Sequence, residues 1–236
     1  LLAEITSQKI ITYGIDNPDA DLSATDVGFF PDRTEFKVRQ HKIILGVPGR
    51  HNILNALAAI AASLIYGVSI DNAVEGIQKF TGIKRRLEKL GEVDGVSYYD
   101  DFAHNPDKIA ASLSSLKKFD GRLIVMFQAH GYAPLRMMGK EIIEAFKKNF
   151  SSGDILLMPE VYYAGGTVDR SVTARHIIDA AKDEGLNAHH FDDREGLATF
   201  LLETILPGDR VVVMGARDDT LTDFCQGLML NRHEAA

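Results

Sequence analysis

The sequence of 236 residues contains no tryptophan and a single cysteine, Cys225. One thiol cannot form an internal disulfide, so a reduced compartment such as the cytosol is expected. No apolar run approaches the roughly 18 residues that a membrane span requires, and the first residues lack the basic flank and apolar stretch of a signal peptide. These absences predict a cytoplasmic protein that does not enter a membrane.

Basic residues are scarce relative to acidic ones, and the formal net charge is −7. Binding to nucleic acid requires clustered Lys and Arg, whereas the basic runs here are as short as Lys84–Arg86. We therefore predict no nucleic-acid partner, although a small anionic ligand remains possible. A content of 45% hydrophobic and 25% charged residues is that of an ordinary globular protein with a packed core.

Common catalytic motifs are also missing. The chain has no GxGxxG fingerprint, no GxxxxGK phosphate loop followed by Ser or Thr, no HExxH and no GxSxG. The missing dinucleotide fingerprint weighs against a Rossmann-type dehydrogenase. The spacings of histidines and carboxylates match no standard zinc pattern, so we predict no metal site formed by this chain.

Two patterns of hydropathy meet near Ile83–Arg86, where we predict a domain boundary. Before it, β-prone segments separated by turn residues precede two helical segments, which predicts the edge of a mixed or antiparallel sheet followed by helices. The predicted strands are Lys9–Tyr13, Asp26–Phe30, Glu35–Val38 and Lys42–Leu45, and the predicted helices are Asn52–Tyr66 and Ile70–Phe80.

After the boundary, an Asp-Gly dipeptide between Leu87–Val93 and Val96–Asp100 predicts a β-hairpin. Helices and strands then alternate, and strands such as LIVMF are apolar on both faces, which predicts an α/β, Rossmann-like domain with a mostly parallel sheet. The predicted helices are Pro106–Phe119, Leu135–Phe150, Thr173–Glu184, Arg194–Thr204 and Thr220–Asn231, and the predicted strands are Leu123–Phe127, Ile155–Met158, Ala188–Phe191 and Arg210–Met214.

Two strand-to-helix loops carry polar side chains. They are YDDFAHNP at 99–106 and FQAHGYAPLR at 127–136. Because ligands bind at the carboxyl ends of strands in open α/β sheets, we predict that the two loops form one pocket. Its candidate residues are Asp101, His104, Gln128, His130, Tyr132 and Arg136. Other interpretations stay open for single residues, since Asp101 or Asn105 could simply cap the helix and His130 could be a surface histidine.

Two further segments are candidates for binding an anion or a base. In GVPGRHNILN at 46–55, glycines lead into a helix whose first N–H groups suit an anion, and the amide of Asn52, beside His51, complements adenine. The alternative is that the His-Asn pair caps the helix. Arg86, in IKRRLE at the boundary, could reach a phosphate, with Lys84 and Arg85 as solvated neighbours, and the alternative there is a surface basic cluster.

Four segments, in this order, resemble the Mur ligase family: GRHNILNALAAIAAS, GIKRRLE, YYDDFAHNPDKIAASL and VMFQAHGYAPLR. The resemblance is strong from Gly46 to Arg136 and looser to about Asp219. It implies an ATP- and Mg²⁺-dependent cytoplasmic ligase of peptidoglycan synthesis, which joins an amino acid, L-alanine in the nearest branch, to the carboxylate of UDP-N-acetylmuramate through an acyl phosphate. It also implies that residues 1–84 end a central P-loop-type ATPase domain and that residues 85–236 form the C-terminal Rossmann-like domain.

The resemblance also implies roles for single residues. Asn52 would contact the adenine with His51 beside it, Arg86 would reach the ATP phosphates, and Asp101 would reach the ribose. His104 and His130 would lie near the incoming amino acid. Together with Arg86, the two histidines are our predicted catalytic residues.

The chain departs from the family pattern in two ways. The family's phosphate loop, metal-binding carboxylate and modified lysine belong to sequence before Leu1, so we expect a fragment that does not catalyse alone. Gly131 and Pro134 stand where alanine-adding members carry arginines, which leaves Arg136 as the nearest cation. A muramyl-peptide ligase, a paralogue with another acceptor and a non-catalytic binding module therefore remain alternatives.

Overall fold

The computed structural model describes residue 8, residues 10–163, residues 165 and 167, and residues 169–234. The chain divides between Gly82 and Ile83 into two compact units, each with its own hydrophobic core. Among the described residues, no helix is both long and apolar enough to cross a membrane.

In the described part of the first unit, four strands and two helices pack together. Strands β1 and β2 are parallel, and the pairs β2–β3 and β3–β4 are antiparallel. The elements are β1 (Tyr13–Ile15), β2 (Leu22–Phe29), β3 (Thr34–Val38), β4 (His41–Leu45), α1 (Arg50–Ile65) and α2 (Ile70–Gln78). Helix α1 covers the sheet because Ile53, Leu57 and Ile60 recur on one helical face and are fully buried.

The predicted sheet of this unit is confirmed as mixed, but two strand boundaries were wrong. Of the predicted strand Lys9–Tyr13, Lys9 lies outside the described residues and only Tyr13 belongs to a strand. Strand β2 begins four residues before the predicted Asp26, because Leu22 and Ala24 alternate into the core ahead of an irregular register.

The second unit is a sheet with helices on both faces. Its strand order is β5-β6-β10-β7-β8-β9; β5 pairs antiparallel with β6, and the other neighbours are parallel. The strands are β5 (Glu88–Val93), β6 (Val96–Asp101), β7 (Leu123–Gln128), β8 (Ile155–Pro159), β9 (Ala188–Phe191) and β10 (Arg210–Gly215). The helices are α3 (Pro106–Leu116), α4 (Tyr132–Asn149), α5 (Ala174–Asp183), α6 (Arg194–Thr204) and α7 (Leu221–Glu234).

Strand β10 lies between β6 and β7, and this insertion shapes the carboxyl edge of the sheet. Helices α3, α4 and α5 pack on one face, whereas α6 and α7 pack on the other. The chain therefore leaves β10 toward one face and leaves β6 and β7 toward the opposite face. Such a reversal opens a crevice at the strand ends, which is where α/β sheets bind ligands.

The predicted α/β class with a mostly parallel sheet is confirmed. Helix α3 ends at Leu116 rather than Phe119, and α4 begins at Tyr132 rather than Leu135. The earlier start of α4 is possible because Pro134 occupies its first turn, where a missing N–H costs no hydrogen bond. The loop after β7 is consequently only three residues long, which restricts where His130 can lie.

Candidate active site

The carboxyl ends of β6, β10 and β7 lie at one level of the sheet. Met214 of β10 pairs with Asp101 on one side and with Phe127 on the other, and Gly215 pairs with Gln128. The strands approach closely there, because a Cβ added to Gly215 would stand 2.8 Å from the carbonyl oxygen of residue 128. The three loops that leave these strands therefore start side by side.

Asp101 is the last residue of β6 rather than a loop residue, and its side chain is only 3% exposed. Its Oδ2 accepts a hydrogen bond from the Ser112 hydroxyl of α3, and its Oδ1 accepts from the backbone N–H of Ala103 at 3.2 Å. Burial raises the pKa of this carboxyl, and these hydrogen bonds act in the opposite direction. The carboxylate therefore ties the 101–105 turn to α3, and Asn105 caps that helix by accepting from the N–H of Lys108 at 3.0 Å.

His104 and His130 lie in contact. Their rings meet edge to face with centroids 5.1 Å apart. His104 Nδ1 lies 2.9 Å from the carbonyl oxygen of Phe102. A carbonyl can only accept, so Nδ1 carries the proton, and in the neutral ring Nε2 is left as an acceptor.

The electrostatics of the pair favour a neutral His130. Burial lowers the pKa of His130, and the charges of His104 and Arg217 lower it further. A neutral imidazole that is half-buried beside a second imidazole can accept a proton or a hydrogen bond from an amine. The structure thus brings together the two histidines that the sequence predicted for one pocket.

Arg85 and Arg86 both lie over the ring of Phe102, with guanidinium carbons 5.1 and 5.0 Å from its centroid. Arg86 is exposed, and no ion pair holds it within the described residues. Its charge is therefore available to an anion, and the phosphate contact stays a prediction.

Arg85 was expected to be a solvated neighbour, and that prediction was wrong. Its side chain is 14% exposed, and it donates to the carbonyl oxygen of Gly215 at 3.0 Å. Its Nε lies 3.5 Å from the fully buried carboxylate of Asp100, which also accepts from the Thr222 hydroxyl. Burial raises the pKa of Asp100, and Thr222 and Arg85 oppose that shift. Arg85 thus joins the start of the unit to the ends of β6 and β10.

Gln128 ends β7 and is 2% exposed, with both ends of its amide hydrogen-bonded. Its Oε1 accepts from Arg194 Nε at 3.1 Å and Nη2 at 2.8 Å, and its Nε2 donates to the Glu160 carbonyl at 2.7 Å. Arg194 also donates to Asp218 and to the Thr220 hydroxyl. Sequence reasoning missed Arg194, because the contact spans 66 residues and no local pattern signals it.

This network borders an open cleft of about 300 Å³ at the strand ends. The cleft is lined by Gln128 at the end of β7 and by residues at or after the ends of β8, β9 and β10, including Glu160, Tyr162, Asp193 and Asp218. Burial raises the pKa of Asp218, but the hydrogen bonds from Thr220 and Arg194 outweigh it and the net pKa is lowered. The carboxylate of Asp218 is therefore a fixed charge that anchors Arg194.

Tyr132 and Arg136 belong to the first turns of α4. Tyr132 is mostly buried, with its ring 5.6 Å from that of Tyr163, and the guanidinium of Arg170 lies over both rings. Arg136 is exposed and forms an ion pair with Asp169 at 2.8 Å. Both predicted substrate contacts are thus engaged with the segment that follows β8.

His51 and Asn52 occupy the first turn of α1 in the first unit. Gly49, at φ 107°, is the N-cap, a left-handed conformation that glycine adopts without strain. Asn52 Nδ2 donates to the carbonyl of Pro48 at 2.7 Å, so part of its amide is used by the turn. His51 is half-buried, and burial lowers its pKa.

The described residues contain no group of three His, Cys, Asp or Glu side chains that could hold a metal ion. Cys225 is buried and its thiol pKa is raised to about 12, first by burial and then by Asp100. It is therefore a core residue rather than a nucleophile or metal ligand.

The strand order defines a Rossmann-like α/β domain, and the polar strand-end loops form a candidate ligand site at the carboxyl edge of its sheet. Residues 85–217 match the family model for the Mur ligase glutamate ligase domain, and residues 1–63 match the model for the Mur ligase middle domain. The first match alone covers more than half of the chain, so the chain belongs to the Mur ligase family, as the four sequence segments predicted.

Curated relatives include two UDP-N-acetylmuramate–L-alanine ligases. The protein from Clostridium novyi is 34% identical over 216 residues, which are 89% of this chain and 46% of that protein. The protein from Rickettsia rickettsii is 33% identical over 236 residues, covering 92% of this chain and 47% of that protein. The chain thus spans about half the length of the curated relatives that it matches.

Solved structures share the fold at low sequence identity. The UDP-N-acetylmuramate-alanine ligase of Thermotoga maritima aligns with a TM-score of 0.71 and 20% identity, covering 96% of this chain and 48% of that one. A murein peptide ligase of Psychrobacter arcticus aligns with a TM-score of 0.62 and 21% identity, covering 95% of this chain and 46% of that one.

Proposed function

We propose that this chain forms the acceptor-binding part of an ATP-dependent amide ligase of peptidoglycan precursor synthesis in the cytoplasm. The ligase joins an amino acid, L-alanine in the first instance, to the carboxylate of UDP-N-acetylmuramate. The observation that carries the proposal is the contact between His104 and His130 at the carboxyl edge of the sheet. Family membership supports the same reaction class.

The reaction has two steps. The muramyl carboxylate first attacks the γ-phosphorus of ATP, and ADP leaves. Arg86, an exposed guanidinium without an ion-pair partner among the described residues, suits the charge on the transferring phosphoryl group. His51 and Asn52 are proposed to contact the nucleotide at the start of α1.

The acceptor amine then attacks the acyl carbon, the C–N bond forms, and the C–O bond to phosphate breaks. His130 accepts the amine proton, because its lowered pKa keeps the imidazole neutral. His104 orients the amine through its free Nε2 acceptor. Gln128, Tyr132 and Arg136 contribute to the acceptor pocket by fixing its walls, since each is held by contacts of its own.

Mg²⁺ and most contacts to ATP would come from residues outside this chain. The described residues offer no three-ligand metal set, and the chain carries no phosphate loop. When bound, the metal would supply charge neutralisation at the phosphates. We assign Asp101 to shaping the His104 loop rather than to the ribose, because its carboxylate is buried and both oxygens are hydrogen-bonded within the unit.

A peptide acceptor is the second candidate. Gly131 and Pro134 replace the arginines expected in alanine-adding members, and a cleft of about 300 Å³ lies beside Gln128, two residues before His130.

One assay tests these proposals. The full-length parent is given UDP-N-acetylmuramate, ATP, Mg²⁺ and a panel of amino acids and short peptides that begin with L-alanine, and phosphate release is measured. Release that depends on an amino acid supports the first candidate, and release only with peptides supports the second. No release with any acceptor would overturn both and favour a non-catalytic binding module.

A further inference from the structure

Arg217 lies between the two histidines in the order of the sheet. His104 follows β6, His130 follows β7, and Arg217 follows β10, which lies between those strands. Gly215 pairs with Gln128, so Arg217 and His130 each stand two residues past a paired position on neighbouring strands. Neighbouring strands are about 4.8 Å apart, and at that spacing one small ligand can touch both residues.

The backbone of Arg217 is in the left-handed region, at φ 62°. This conformation is unfavourable for a side chain with a Cβ and favours glycine. Such conformations recur both at ligand sites and in ordinary turns, as at Arg39. The backbone of Arg217 is therefore compatible with a binding role, and the inference rests on its position and its unpaired charge.

The charge of Arg217 is also unpaired. Arg217 is exposed, and within the part of the chain that the structure describes no hydrogen bond or ion pair holds its guanidinium. Its neighbour Asp218 is engaged by Arg194 and Thr220, and the nearest acidic group beyond it, Asp219, lies 3.5 Å from Arg85.

Arg136, the cation expected to serve this pocket, is instead neutralised by Asp169. The histidine pair therefore has one unpaired guanidinium beside it that belongs to a neighbouring strand end. An amino acid presents an amine and a carboxylate on the same carbon, so a cation beside His130 is well placed to bind the carboxylate while the amine meets the imidazole.

We propose that Arg217 binds the carboxylate of the acceptor amino acid while the histidine pair receives its amine. This inference rests on the proposed function and specifies how the same site recognises its acceptor. Arg217 supplies the positive charge that the uncharged residues Gly131 and Pro134 lack. A guanidinium suits this task because its paired N–H groups match both oxygens of a carboxylate.

The test compares Arg217→Gly with Arg39→Gly in the full-length parent. Arg39 is a matched control, because it is an exposed arginine at φ 54° in the β3–β4 turn of the first unit. Glycine suits both backbone positions, so neither variant should lower Tm. Steady-state kinetics are measured with the amino acid that the panel identifies, beginning with L-alanine, and with the matching amino-acid amide, which lacks the carboxylate.

For Arg217→Gly, we expect the KM of the amino acid to rise by about tenfold to a hundredfold, the scale of one charge-assisted contact, while the KM of ATP changes less than twofold. Wild type should prefer the amino acid over its amide, and the variant should lose most of that preference. Arg39→Gly should leave all constants unchanged.

An unchanged amino-acid KM in Arg217→Gly, a retained preference over the amide, or an equal defect in Arg39→Gly would each overturn the inference while leaving the ligase assignment intact. A wild-type parent that releases no phosphate with any acceptor would overturn the proposed function, and the inference with it.

Discussion

The rings of His104 and His130 meet edge to face at 5.1 Å although their loops follow strands that are not neighbours in the sheet. The loops can meet because β10 ends with Gly215, whose missing side chain leaves the ends of β10 and β7 in close approach. The contact places two imidazoles, one of them with a lowered pKa, at a crevice suited to binding an amine.

The activity of the parent should persist into mild acid. His130 acts as a base only when deprotonated, so activity is lost as the pH falls through its pKa. Because burial and two neighbouring charges lower that pKa, the acid limb of the kcat/KM profile for the amino acid should lie below the ordinary histidine value of about 6.5. His104→Gln removes an imidazole that lowers the pKa of His130 whenever it is itself protonated, so the limb should move upward. A limb above 6.5 in wild type would contradict the role of His130.

The hydrogen bonds of Asp101 should stabilise the turn that carries His104. Asp101→Ala leaves the Ser112 hydroxyl and the Ala103 N–H without their acceptor, so we expect a loss of about 1–3 kcal/mol in the free energy of unfolding, with a clear fall in turnover as the His104 loop loosens. Asp101→Asn retains an acceptor for Ala103 and should be nearly as stable as wild type in urea unfolding. Equal stability of all three proteins would show that these bonds do not hold the turn.

Substitution of Arg85 should lower stability, whereas substitution of Arg86 should lower activity. Arg86→Ala should cut turnover by roughly tenfold to a thousandfold, as expected for a lost electrostatic contact in the transition state, with little change in Tm because the side chain is exposed. Arg85→Ala leaves the buried carboxylate of Asp100 without its cation and the Gly215 carbonyl without its donor, and should cost about 1–3 kcal/mol of stability. If Arg86→Ala lowers Tm and leaves phosphate release intact, its assignment is wrong.

Arg194 should stabilise the second unit through its hydrogen bonds to Gln128. Arg194→Lys cannot reproduce the two hydrogen bonds to Gln128 Oε1 and the contacts to Asp218 and Thr220, so we expect a loss of about 1–2 kcal/mol in thermal or urea unfolding. Lys117→Arg, which retains a cation beside Asp154 on another part of the unit, serves as the control. Stability equal to wild type in Arg194→Lys would show that one cationic contact suffices.

Much of the second unit could be predicted because its signals are local. The apolar strand LIVMF and the alternation of helices and strands indicated the sheet, and each chemistry-bearing loop followed a recognisable strand. The contacts that organise the site could not be predicted, because they join residues far apart in sequence. Arg85 reaches Gly215 and Asp100, and Arg194 reaches Gln128.

The burial of individual side chains also could not be predicted from local sequence patterns. Asp101 belongs to a strand rather than a loop, because the pairing of β6 with β10 extends to its position. Tyr132 begins a helix and packs into the core instead of lying on a loop. Side-chain environment depends on neighbouring strands and helices that the local sequence does not specify.

The central claim, that the histidine pair serves the acceptor amine, is tested most directly by the steady-state kinetics of His104→Ala in the full-length parent. The account predicts that the KM of the amino acid rises at least tenfold while the KM values of ATP and UDP-N-acetylmuramate stay near those of wild type. Unchanged constants for all three substrates would contradict it.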